Sequence, residues 1–461
     1  MVRRAFLIAL FLRIFVQTPP TQSLILRGTI VTPDAVIADG VITIDGATIT
    51  SVAPASAASP AAIKFDGVMF PGLIDLHDHL TWNALPRWRP PHLFSDRYEW
   101  QESSEYETAL VKPHSELLKQ GFECDLNRYA EVKAIVNGAT STVGGVNNPC
   151  ARGLARNLDS FPDLPGMTST VENSIFPLEI RSPCDEQAVR DVGGALEDCA
   201  LTPGESKPAI PRAVVAHLGE GSGAAARREF TMFAAHGYLR SGVSIIHGVG
   251  LRPEQFKQMA AHDVGLIWSP RSNIELYGVT TDVAAAKAAG VTIAVAPDWS
   301  PSGSTGMLAE LAYVDAMRTT HPQLVRFTNK ELGDMATVHP ARLARLDRAV
   351  GKLAFGYAAD FVVMRRRTDD DAYAALVKQT PTDVRLVVIA GQPVYGEADL
   401  MKELVPNGPL ETIDVCGQTR TLNVQTGTPD HTAWATTESR LQAVLRTLDM
   451  TLAPLVECSS E

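Results

Sequence analysis

At 461 residues, 45% hydrophobic and 20% charged, the chain is long enough to bury a large core and exceeds one small domain. A formal net charge of -11 at pH 7 argues against a nucleic-acid partner, because affinity for a phosphate backbone is built on clustered Lys and Arg. A small-molecule substrate is the expectation, and the composition is compatible with a homo-oligomer.

The chain opens with Arg3 and Arg4, an apolar run from Ala5 to Leu12, Arg13, a short apolar stretch at 14–16 and a Pro-rich segment before Leu24. That is the layout of an export signal, residues 1–23, with a twin-arginine look and a cleavage point near Ser23. The run is too short for a stable membrane span. A periplasmic or secreted location follows; a cytoplasmic protein with an N-terminal strand or tail is the alternative, since Arg13 interrupts the apolar run. The six cysteines are even in number and form no Cys-x-x-Cys motif, which predicts at least one disulfide, Cys184 to Cys199 first, against six unpaired thiols.

Short β-type runs at 23–27, 41–44 and 49–53, with Asp45 and Gly46 between two of them, predict strands of a small sheet. Similar runs at 359–364 and 384–390 could pair with them, so that 24–66 and 350–400 form one small domain around 67–349. Within 67–349, β-type runs alternate with helix-like segments, which predicts an α/β fold with a parallel sheet closed by helices. Candidate strands are 68–76, 140–144, 213–217, 244–247, 265–269 and 291–296, with weaker ones near 153–157 and 169–175. Eight such strands would close a (β/α)8 barrel, whose reactive residues stand just past the strands' C-terminal ends. Residues 401–461 read as a polar C-terminal extension with a helical stretch at 437–448 and no chemistry.

Four positions fit that rule. His77 and His79 follow the run at 68–76, and side chains at i and i+2 on a strand share a face, so one strand end can hand two imidazoles to one metal. Alone, this pair reads equally well as packed or surface histidines. His217, His247 and Asp298 each follow a further apolar run, in a chain with only 11 histidines.

With Pro71 to His79, His217 to Glu220, His247 and Gly248, Ser269 to Asn273, and Asp298 to Ser300, the chain resembles the amidohydrolase superfamily. The resemblance implies a (β/α)8 TIM barrel with a small β-sandwich built from N- and C-terminal segments. It implies His77, His79 and His217 as nitrogen ligands of one divalent metal, Zn2+ with Fe2+ or Mn2+ as alternatives, Asp298 as a carboxylate that binds the metal or takes a proton from its water, and His247 as a partner of that water or of the substrate. No lysine stands in 169–175 to hold a second metal, as many relatives do. Zinc lowers the pKa of its water from 15.7 to about 7, which makes a nucleophile without a strong base.

Glu220 resembles the proton-shuttling glutamate of the superfamily's deaminases, a role worth roughly 10² to 10⁴ in rate. Those enzymes usually follow it with threonine, whereas Gly221 stands here, and a solvated loop carboxylate is the alternative. Arg271, Asn273 and Trp299 are candidate substrate contacts, although Arg271 and Asn273 serve equally well as loop braces. Trp82, Trp88, Trp100 and Trp268 also fall near the expected mouth, and 97–101 is a candidate lid; the other histidines read as structural or exposed. The leading expectation is hydrolysis of a non-peptide amide, cyclic amide or amidine. Deamination of an amino-heterocycle comes second, with action on a dipeptide-like substrate and a non-catalytic scaffold behind it.

Overall fold

The computed structural model describes residues 23–164, 167, 171–175, 213–235, 237–321, 326–367, 371–425 and 427–458. Nearly all of the expected export signal, Cys184 and Cys199, and His236 lie outside the described residues.

Leu24–Val31, Val36–Asp45 and Thr48–Pro54 pair antiparallel in succession, the second turn passing through Gly46 at φ 57°. Ile63–Pro71 then lies parallel to the first of these and antiparallel to Phe361–Arg365. Through Val384–Ile389 and Gln392–Gly396 the same sheet continues to nine strands, so strands from both ends of the chain are hydrogen-bonded neighbours. Its outer pair, Gln418–Leu422 and Glu411–Val415, corrects the reading of 401–461 as a tail with one helix. Only Ile413 and Val415 of Glu411–Val415 are buried, too sparse an alternation to stand out in the sequence. The expected helix is present as Trp434–Arg446.

The middle of the chain supplies two parallel sheets. Leu73–Asp75, Ala139–Thr142 and Arg156–Asn157 form one. Val171–Ile175, Ala213–Leu218, Val243–His247, Gly265–Trp268 and Ile293–Val295 form the other. The last four are buried along their whole length, as strands covered on both faces must be, which is why they read as continuous apolar runs. Hydrogen bonds join the two sheets at both margins: Val171 N to Leu158 O at 2.7 Å, and Asp298 N to His77 O at 3.1 Å with His79 N to Asp298 O at 3.2 Å. Buried Arg156 donates to both oxygens of Asp360, at 2.6 and 3.0 Å, tying a parallel sheet to the strand at Phe361–Arg365. Paired in this bidentate way, two charges can be buried without either standing alone.

Two disulfides are present among the described residues, Cys124–Cys150 and Cys416–Cys458. Among these residues no helix is long and apolar enough to cross a membrane.

Candidate metal centre

The side chains expected at the strand ends converge. His77 and His79 leave the end of Leu73–Asp75, and their rings lie 5.3 Å apart. His217 stands within Ala213–Leu218 and His247 ends the neighbouring strand, with ring centroids 4.8 Å from that of His77 in each case. Asp298 brings its Oδ1 to 3.2 Å from His77 Nε2 and 3.4 Å from His79 Nε2. His247 and Asp298 hold φ angles of 65° and 71°, a left-handed conformation that side-chain-bearing residues adopt at an energetic cost. The backbone tolerates it where surrounding contacts over-determine the turn, and both turns aim a functional group inward.

Two overlapping sets, His77 with His217 and His247, and His77 with His79 and Asp298, keep their ligand atoms within 4.8 Å of one another. His77 Nε2 and His217 Nε2 face each other at 3.1 Å in a buried setting. Burial above all holds both of these imidazoles well below the ordinary histidine range, hence neutral. Facing lone pairs repel unless a proton or a cation lies between them, so this donor set fits a divalent ion. Burial also lowers His79, but the hydrogen bond and charge of Asp298 outweigh it and raise its pKa. For Asp298, burial favours the neutral acid, yet the surrounding histidines hold it below the usual carboxylate range, as an anion. The outer nitrogens are held too: His77 Nδ1 meets Ser269 Oγ at 2.9 Å, and His247 Nδ1 meets Asn273 Oδ1 at 2.8 Å. Because Asn273 spends its amide hydrogens on Thr280 and Thr281, its oxygen accepts, so His247 Nδ1 carries the proton and Nε2 faces inward with a lone pair.

Above these groups opens a cavity of about 310 Å³, lined by Trp82, Trp100, Tyr106, Trp299, Leu276 and Gln101 together with His79, His217, His247, Glu220 and Asp298. Glu220 is 2% exposed; its Oε1 accepts from Tyr277, while Oε2 has no hydrogen-bond partner among the described residues and stands 3.7 Å from His247 Nε2. Gly221, at φ 119°, is explained by packing: a Cβ there would come within 2.4 Å of Asp96 Cα and Ser95 O, so threonine has no room.

The structure does not bring every candidate to the cavity. Arg271 faces away from it, its guanidinium 2.7 Å from Glu457, and Asn273 is committed to His247, so both brace rather than line. The segment at 97–101 is a helix capped by Asp96 with Arg97, Tyr98 and Trp100 buried, packed in place rather than poised as a lid. Trp88 and Trp268 belong to the core. Of the remaining histidines, His114 stacks on Trp82 at 3.8 Å and bonds Thr81, behind the cavity wall.

Several contributors escaped the sequence reading. Asp78 accepts from Asn83, whose own oxygen accepts from Ser300 N, and buried Lys133 donates to Asn83 O and Ser300 Oγ. Tyr277 had a usable signal: it lies one helical turn beyond Asn273 in Pro270–Tyr277 and so shares its face. Tyr106, at the end of the short helix Ser104–Tyr106, had none.

Fold and site define a parallel α/β protein with a histidine-rich divalent-metal centre at its strand ends. The sequence model of the amidohydrolase family matches residues 208–394. The 5-methylthioadenosine/S-adenosylhomocysteine deaminase of Moorella thermoacetica is 29% identical over 187 residues, 39% of this chain and 41% of that protein. That of Pyrococcus furiosus is 28% identical over 135 residues, 28% of this chain and 31% of that protein. The matched segments therefore span well under half of these relatives. Similar solved structures include the triazine hydrolase of Arthrobacter aurescens, at TM-score 0.60 and 17% identity, covering 92% of this chain and 99% of that one. Another is E. coli guanine deaminase, at TM-score 0.58 and 15% identity, covering 81% and 99%. A third is an adenosine deaminase from Xanthomonas campestris with bound zinc, at TM-score 0.55 and 17% identity, covering 80% and 92%. The likeness to the amidohydrolase family thus rests on residues 208–394, and the solved structures share the fold.

Proposed function

We propose that the protein is a zinc-dependent hydrolase of a non-peptide carbon–nitrogen bond, and that it releases ammonia from a flat amino-heterocycle. The observation that carries this reading is the buried Glu220, which lines an aromatic-walled cavity and holds its Oε2 3.7 Å from His247 Nε2. Rings of Trp82, Trp100, Tyr106 and Trp299 suit a planar substrate held by its faces. Within the same reading, the parallel strands close as a (β/α)8 barrel beside a small β-sandwich.

A bound divalent ion would be held by His77, His79, His217 and Asp298, and would supply Lewis acidity that makes a water nucleophilic near neutral pH. The remaining work falls to the chain. Asp298 accepts a proton from the attacking water, and His247 Nε2, whose lone pair faces inward 4.0 Å from Asp298 Oδ2, accepts a hydrogen bond from the same water. Glu220 delivers a proton to the ring nitrogen as water adds across the carbon–nitrogen bond; the proton taken by Asp298 then passes to the amino group, which departs as ammonia, while the remaining hydroxyl proton returns to Glu220 and leaves the ring carbonyl. Apolar walls keep bulk water from competing for these protons.

Hydrolysis of an amide, cyclic amide or amidine is the second reading, favoured by Gly221 at the position where the resembling deaminases carry threonine. The protein is incubated with zinc and a panel of amino-heterocycles, cyclic amides and aryl amides, with ammonia and product masses recorded. Ammonia release with replacement of an amino group by oxygen is expected; ring opening or amine release would move the assignment to the second reading. Export to an oxidising compartment is part of the proposal and is supported by the two disulfides. Fractionation of the native host checks it, and an exclusively cytoplasmic protein would overturn it.

A further inference from the structure

Glu220 has two carboxylate oxygens in different situations. Tyr277 Oη lies 2.6 Å from Oε1, and Trp100 Nε1 lies 2.7 Å from the same Tyr277 oxygen. An indole N–H can only donate, so it occupies a lone pair of the tyrosine oxygen and leaves the phenol's single hydrogen to point at Glu220. The three side chains are 6%, 5% and 2% exposed for Trp100, Tyr277 and Glu220, so water does not compete for these bonds. Their order is therefore directional: Trp100 donates to Tyr277, which donates to Glu220 Oε1.

From this geometry we infer that Tyr277, itself oriented by Trp100, is a positioning residue that fixes the rotation of the Glu220 carboxyl and keeps Oε2 turned toward the reacting atoms. The local sequence makes this possible. Pro270–Tyr277 starts with Pro270 in its first turn and stops at Gly278, whose φ of 68° ends the helix in the left-handed region. Four residues apart on that helix, Asn273 orients His247 and Tyr277 orients Glu220, so one rigid element sets two groups of the site. Without the tyrosine hydroxyl, the carboxyl is free to turn Oε1 and Oε2 between the cavity and the helix, and the productive arrangement is populated only part of the time.

The inference rests on Glu220 acting in the proposed reaction, and a double-mutant cycle separates the two. On the compound with the greatest ammonia release, kcat, KM and metal content are measured for the parent, Tyr277→Phe, Glu220→Gln and the double variant. Tyr277→Phe is expected to lower kcat roughly ten- to hundredfold, as for loss of a hydrogen bond to a charged group, with KM within about twofold and full metal content. In the Glu220→Gln background the same substitution should cost nothing further, because its effect runs through the carboxylate. A structural role would instead add equally in both backgrounds, and that result, or an unchanged kcat, overturns the inference while leaving Glu220 in place. If Glu220→Gln itself turns over normally, or no amino-heterocycle loses ammonia, the deaminase reading fails first. Should Tyr277→Phe not fold, Trp100→Phe removes the indole donor instead, and its kcat loss must likewise vanish in the Glu220→Gln background.

Discussion

Two regions near the cavity are built on opposite plans. The metal end gathers side chains standing in or just past four short strands, His77 and His79 sharing one, so every member is held by a short local element. The C-terminal segment 449–458 has no regular structure in its last part and is held by single contacts to distant residues. Ala453 N donates to Ala84 O, Tyr129 donates to Ala453 O, Asn137 donates to Leu455 O, Glu457 pairs with Arg87 and Arg271, and Cys458 is bonded to Cys416. The helix Glu123–Val136 touches both regions, with Lys133 beneath the site and Tyr129 toward the strap. The comparison teaches that the strand-end groups are placed by secondary structure, whereas the segment 449–458 is placed by cross-links and by buried side chains such as Val456.

The largest expected effect is at the metal end. His77→Ala should abolish turnover and bound metal together, read by elemental analysis of the purified protein; full metal stoichiometry would remove His77 from the ligand set. Glu220→Gln should retain the metal while turnover falls by about 10² to 10⁴. Near-normal turnover would break the division between ligands and proton-handling groups.

The strap gives the converse test. Cys416→Ser opens a disulfide of sequence separation 42, and chain entropy for a loop of that size predicts a stability loss of about 4 kcal/mol or less. Denaturant unfolding should register that loss while metal content stays full. Metal loss instead would mean that the strap helps hold the centre.

The smallest effect concerns Glu131 on the connecting helix. Burial pushes its pKa up to about 8, against hydrogen bonds from Asn157 and Asn127. The folded protein thus keeps a proton that the unfolded chain has already released, so this site lowers stability progressively as pH rises from the unfolded value near 4.3 toward 8. Glu131→Gln should therefore melt higher than the parent at pH 8 and nearly alike at pH 4.5. A gap independent of pH would attribute the effect to packing alone.

The convergence of His77, His79, His217, His247 and Asp298 was legible because strand ends announce themselves as apolar runs followed by a polar residue. Asn273 and Arg271 were legible as residues near the mouth but not in their direction, since a helix face is decided by what packs against it. Arg271 turned outward to Glu457, nearly two hundred positions along the chain. The strands at Glu411–Val415 and Gln418–Leu422 were missed because the first buries only Ile413 and Val415, and the second buries the polar Arg420 and Thr421 beside Leu422.

By itself the sequence determined the alternation of buried strands and helices, the supply of imidazoles and carboxylates at strand ends, and the family they resemble, because each depends on spacing along a few residues. Tertiary structure alone decided that Asn273 serves His247, that Trp100 donates to Tyr277 and Tyr277 to one oxygen of Glu220, and that Ala453 bonds Ala84 in the first-strand loop. Those contacts join residues from 26 to 369 positions apart, and hydrogen bonds of that kind acquire direction only when folding excludes water and fixes both partners.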